Sequence, residues 1–165
     1  MHTTTPHQLT AVRAFTQRLS STRRGARLAR LLVAERLTAW EVSPGVAERT
    51  EQIVAELAAN AILHGRVQGR DFQVAVSFTP VTGALRLAVT DARGERLPVV
   101  RTDSEASRPD GESGRGLLLV AALADRWGAE PYPPSGKTVW AEIGLRGAQP
   151  KPGYALPDAS MGGMT

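Results

Sequence analysis

Glu56-Leu57-Ala58-Ala59-Asn60-Ala61-Ile62-Leu63-His64 is the stretch on which the reading of this chain turns. On a helix, Glu56 and Asn60 lie one turn apart and His64 one turn further, so the three share a face. An acid, an amide and an imidazole in one column of a mostly apolar helix need something to hold. A carboxylate can take a proton, and an amide carbonyl can coordinate a hard cation such as Mg2+. Further along comes Gly114-Arg115-Gly116-Leu117, which reads as a glycine turn opening another apolar helix. That arrangement offers backbone N–H groups to phosphate. Between the two, Asp91 ends an apolar strand. The three together point to a nucleotide site.

Working outward, Ser43 then Pro44 reads as N-cap and first residue of the helix that carries this column, with Gly65 and Gly69 closing it. Upstream, residues 9–20 partly alternate and predict an edge strand. Ser20, Ser21 and Thr22 are candidate N-caps for a helix to about Trp40, with Ala29, Leu32, Val33, Leu37 and Trp40 on its core face. Arg23, Arg27 and Arg30 fall on another face. Downstream, residues 72–79 and 84–90 alternate around a turn and predict a hairpin. Residues 92–113 are broken by Gly94, Pro98, Pro109 and Gly111, and a loop of that length in a compact domain suggests a lid over a ligand. A third helix is predicted over about 115–125, with Leu117, Val120, Ala121 and Ala124 inward, followed by a second hairpin over 127–132 and 138–145.

This order predicts a mixed, mostly antiparallel sheet covered on one face by three helices, a two-layer α+β sandwich. The domain is placed at residues 9–146, between a flexible start at 1–8 and a disordered Gly/Pro-rich tail at 147–165.

Bulk composition narrows the function. The chain has 165 residues, 42% hydrophobic and 22% charged, which suits one soluble globular domain. With no cysteine, disulfides and thiolate metal sites are excluded. The start at residues 1–7 holds no apolar stretch, and the longest apolar run, Leu117 to Ala124, falls far short of the ~18 residues a membrane span needs. A cytoplasmic location without membrane contact is therefore expected. The net charge is +4, and all but two of the 20 basic residues are arginine, the exceptions being Lys137 and Lys151. Arginine grips phosphate, yet no aromatic residues interleave with these arginines, so direct nucleic-acid binding is not expected. Gly136-Lys137-Thr138 is not the end of a P-loop, because that motif requires glycine where Pro131 stands.

Four motifs in this order and spacing resemble the GHKL (Bergerat-type, histidine-kinase-like) ATPases, and among them the anti-sigma-factor serine/threonine kinases of bacterial partner-switching systems. Glu56-Leu57-Ala58-Ala59-Asn60-Ala61 with His64 resembles the N box, Val89-Thr90-Asp91 the start of the second box, Glu112-Ser113-Gly114-Arg115-Gly116-Leu117 the third, and Gly136-Lys137-Thr138-Val139-Trp140 the closing strand. The resemblance implies ATP and Mg2+ as cofactors. It makes Asn60 the Mg2+ ligand and Glu56 the base that orients a serine hydroxyl or water. Asp91 would accept the adenine amino group, with Thr138 supporting it. Gly94, Gly114, Arg115, Gly116 and Leu117 would line the nucleotide, and His64 would stand beside it. The implied partners are a sigma factor and an anti-sigma-factor antagonist, on a homodimer. In the family the second box reads Asp-x-Gly, whereas here Arg93 takes the glycine position and Gly94 follows one residue late. That departure opens a second expectation, a catalytically weak, nucleotide-gated protein-binding module.

Overall fold

The computed structural model describes residues 11–95 and 112–144, with backbone alone at 112–115. The expected flexible start, the disordered tail and most of the lid lie outside the described residues. The elements run β1 (Arg13–Leu19), α1 (Arg23–Ala39), α2 (Pro44–Leu63), β2 (Phe72–Thr79), β3 (Ala84–Asp91), α3 (Glu112–Leu123), β4 (Arg126–Tyr132) and β5 (Gly136–Ile143). The sheet order is β1-β2-β3-β5-β4, and each neighbouring pair is antiparallel. The sandwich of five strands and three helices is as the sequence predicts, except that the described strands form no parallel pair.

Local chemistry explains the boundaries. Of the three candidate caps for α1, Thr22 serves, its hydroxyl accepting from the Gly25 N–H at 3.0 Å. The helix ends in a Schellman turn. The Val42 N–H reaches the Leu37 carbonyl and the Glu41 N–H reaches that of Thr38. Glu41 adopts φ 54° there, a left-handed conformation usually left to glycine. Ser43 stands at the N-cap of α2 as expected, but its side chain makes no capping bond, and Pro44 supplies the pre-set φ of the first turn. At the other end the His64 and Gly65 N–H groups both reach the Asn60 carbonyl, closing α2.

The strands β2, β3 and β5 alternate strictly. In β3 and β5 the helix-facing rows are Leu85, Leu87, Val89 and Asp91, and Lys137, Val139, Ala141 and Ile143, all buried. They pack against Ile53, Val54, Leu57, Ala58 and Ala61 of α2 and Ala29, Val33 and Leu37 of α1. Each fully buried aliphatic side chain contributes about 1.5–3 kcal/mol relative to exposure, so the apolar stripe of α2 fixes which of its faces is left for Glu56 and Asn60. On the helix-free face, Trp140 lies flat over Gly128, where an added Cβ would come within 2.8 Å of the indole, and the Arg86 guanidinium sits 4.4 Å from its ring centroid. Glu142 joins three strands there by pairing with Arg86 and Arg126.

Candidate functional site

The site is assembled where α2, α3 and the ends of β3 and β5 meet. Leu57, Ala58 and Ala61 turn into the core, which leaves Glu56 and Asn60 half-buried on the flank of α2 beside α3. Gly116, buried in α3, is the point of closest approach. A Cβ added to it would stand 2.5 Å from Glu56 Oε2 and 3.8 Å from Asn60 Oδ1. The first and third motifs of the sequence are thus in contact through space. His64 follows at the C-cap of α2.

The glycine motif itself sits differently from its sequence reading. The helix begins at Glu112 rather than 115, so Gly114 and Gly116 belong to the first turns of α3 and not to a turn preceding it. The first backbone N–H groups of any helix lack intrahelical partners, and Gly114 falls within that stretch. The N–H of Gly116 is spent inside the helix. Leu117, a candidate ligand contact, is 2% exposed, and its side chain anchors α3. The side chain of Arg115 lies outside the described residues.

Asp91, 6% exposed, ends the helix-facing row of β3. Its carboxylate rests on Gly65, where a Cβ would come within 2.2 Å of both Cγ and Oδ2. The Arg93 N–H donates to Oδ1 at 2.9 Å. Gly94 is pressed on the turn between β4 and β5. Its N–H donates to the Ser135 carbonyl at 2.6 Å, and a Cβ would meet the Gly136 carbonyl oxygen at 2.4 Å. The glycine that comes one residue late is therefore demanded by backbone packing, and Arg93 precedes that contact with its side chain paired to Glu95 at 3.3 Å.

Sequence reasoning missed Lys137. It is 4% exposed and directly opposite Asp91 in the β3–β5 register, with Nζ 3.0 Å from Oδ1, 2.9 Å from Oδ2 and 2.8 Å from the Arg93 carbonyl oxygen. Thr138, expected to support Asp91, points to the opposite face of the sheet and bonds the Thr90 hydroxyl at 2.7 Å. Parity was the available signal. Val139, Ala141 and Ile143 must face the helices, and Lys137 shares their parity while Thr138 does not. A cavity of about 280 Å3 opens at this end of the sheet, bordered by Arg18, Arg70, Gln73, Thr90, Asp91 and Gly136. It reaches Asp91 but includes none of Glu56, Asn60 or Gly116.

The donor set at Glu56 and Asn60 is a carboxylate and an amide carbonyl held one helical turn apart. These are hard oxygen donors, and Mg2+ is commonly bound through one or two protein oxygens with the rest supplied by phosphate and water. The residues present fit that ion together with a phosphate chain. A metal held by protein side chains alone has no such support, as no group of three His, Asp or Glu that could hold one occurs among the described residues.

Comparison with known proteins agrees with the fold. The histidine kinase-like ATPase domain family matches residues 19–143. The fold is similar to the RsbU and RsbW domains of Rv1364c from Mycobacterium tuberculosis, at 18% identity and TM-score 0.60, over 81% of this chain and 32% of that one. It is also similar to the SiaB–SiaC complex from Pseudomonas aeruginosa, at 16% identity and TM-score 0.57, over 78% of this chain and 88% of that one. The chain thus spans about a third of the Mycobacterium chain. At these identities the likeness is one of fold. No curated protein matches the sequence.

Proposed function

This chain belongs to the histidine kinase-like ATPase domain family, and from that premise we propose that it is an ATP-binding regulatory protein that binds a sigma factor and phosphorylates a serine on an anti-sigma-factor antagonist with Mg-ATP. The observation that carries the reading is the approach of Gly116 to Glu56 and Asn60, which gathers an acid, an amide and a helix N-terminal region at one point. Similarity to a chain with an RsbW domain, and to SiaB in its complex with SiaC, supports a regulatory role exercised on other proteins. Leu28 and Leu31, exposed on α1, offer apolar surface for a partner or a second copy.

Each residue has a role in that scheme. Phosphoryl transfer needs mainly positioning and charge neutralisation. Glu56 takes the serine proton as the hydroxyl oxygen attacks the γ-phosphorus and the bond to the ADP oxygen breaks. Asn60 holds Mg2+, which when bound neutralises phosphate charge. Asp91 accepts a donor from the base, and the free N–H groups at the start of α3 face the phosphates. Gly94 keeps the entry to the lid close to the β4–β5 turn.

Transfer of labelled γ-phosphate to candidate antagonists tests the proposal, with loss expected in Glu56→Ala. Robust ATP binding with no transfer to any antagonist would sink the kinase reading. A second reading then takes its place, in which nucleotide only sets partner affinity; Arg93 in the glycine position favours it. A Glu56→Gln protein that still regulates its partner normally would decide for that second reading. On location, no helix among the described residues is long and apolar enough to cross a membrane.

A further inference from the structure

We infer that Lys137 sets the base selectivity of this site by rationing the hydrogen-bond acceptors of Asp91; the inference rests on the nucleotide reading above. Lys137 is the one cation in a row otherwise made of Val139, Ala141 and Ile143, and it is 4% exposed. Burying an ammonium against a carboxylate is a poor way to stabilise a fold, since apolar residues of similar volume commonly do as well. The pair calls for another reason.

Counting bonds supplies one. The Lys137 ammonium donates to Asp91 Oδ1 at 3.0 Å and to the Arg93 carbonyl oxygen at 2.8 Å, and lies 2.9 Å from Asp91 Oδ2 as an ion pair. Buried against these atoms, Lys137 acts through Asp91 and is a positioning residue. Each carboxylate oxygen has about two lone-pair sites. On Oδ1 one is taken by Lys137 and the other by the Arg93 N–H. Oδ2 is the one oxygen left open to a donor.

A carboxylate with a single open oxygen reads a single N–H donor. A 6-aminopurine offers its exocyclic amino group and is satisfied. A 2-amino-6-oxopurine presents adjacent N1–H and N2–H donors that together need two open oxygens, and it finds Oδ1 full. Without the lysine, Oδ1 would regain an acceptor beside the open Oδ2, and the two-donor edge would fit. Lys137 therefore excludes guanine nucleotides while leaving adenine nucleotides readable.

Calorimetric titration of non-hydrolysable ATP and GTP analogues into the full chain with Mg2+ tests this, in wild type, Lys137→Met and Lys137→Gln. Wild type is expected to favour the adenine analogue by about tenfold or more, the net worth of a hydrogen bond left unmade. Lys137→Met should bring the ratio towards one by strengthening the guanine analogue. Lys137→Gln keeps one donor to Asp91, so it is the safer variant for folding and should fall between. A ratio unchanged in either folded variant, with both affinities lowered together, would overturn the inference and leave Lys137 as a latch on the turn through Arg93. Equal binding of both analogues by wild type also overturns it, while the nucleotide reading survives. Binding of neither by wild type removes the nucleotide reading and this inference with it.

Discussion

Asp91 and Lys137 are directly opposed on antiparallel β3 and β5 and close a buried ion pair of 2.9 Å at the end of an otherwise apolar double row. The pair marks where the core stops and the site begins. Towards the sheet centre the same rows continue as Val89 with Val139 and Leu87 with Ala141. Beyond the pair, three glycines take over. Gly65, Gly94 and Gly136 each lack room for a Cβ, because the carboxylate or main chain of this corner already fills it.

Gly65→Ala should disrupt the corner from the α2 side. Its Cβ would lie 2.2 Å from Asp91 Oδ2, and the carboxylate cannot retreat without breaking its bonds to Lys137. Overpacking of this kind costs about 1–3 kcal/mol, read as a lower urea midpoint with an unchanged slope. Stability equal to wild type would show that the corner yields more readily than its geometry implies.

Gly116→Ala separates stability from function. Here the clash is with the far end of a flexible side chain, Glu56 Oε2 at 2.5 Å, so the fold can adapt by moving the carboxylate. Alanine is favoured over glycine inside a helix by about 1 kcal/mol. The variant should be as stable as wild type or more so, yet transfer phosphate at least about tenfold more slowly, because displacing a general base forfeits part of its ~100-fold or greater contribution. Paired denaturation and phosphotransfer measurements check both halves. Full activity would place Glu56 outside the chemistry.

Asn60→Ala should abolish Mg2+-dependent ATP binding while the fold survives, since its amide is half-buried and its main-chain carbonyl, which closes α2, is untouched. Titration of ATP with and without Mg2+ measures this directly. Mg2+-dependent binding of wild-type strength in the variant would move the ion elsewhere.

Glu41→Gly should stabilise the protein by about 0.5–1 kcal/mol without touching the site. Glu41 holds φ 54° in the turn between α1 and α2, a region that costs a side-chain-bearing residue about 1–2 kcal/mol, partly offset by the greater unfolded freedom of glycine. A lower thermal midpoint would mean that the Glu41 side chain contributes a contact larger than the strain.

Much of this was legible in the chain. The period-2 rows of Phe72 to Thr79 and Ala84 to Asp91, and the helical stripe through Ile53, Leu57 and Ala61, fix the two layers by apolar spacing alone. The Glu56–Asn60 column follows from the same helix. Two features were not read correctly. The start of α3 was set at Arg115 because glycines suggest a turn; packing against α2 through Gly116 holds those glycines in the helix instead. Thr138 was chosen as the companion of Asp91 by motif, although the alternation of Val139 and Ala141 assigns that place to Lys137. Apolar burial outweighs motif position, because a one-residue slip would carry Val139, Ala141 and Ile143 into solvent along with the lysine.

The end of α2 has one more consequence. Asn60 contributes its amide to one end of the site, and Gly65, bonded through its N–H to the Asn60 carbonyl, is the seat of Asp91 at the other. The two ends are therefore tied together by a single tight turn, and their separation cannot be adjusted independently of that turn. On the proposed nucleotide reading, a molecule that touches both must have a matching span, and this corner would then act as a ruler as well as a reader of chemical groups.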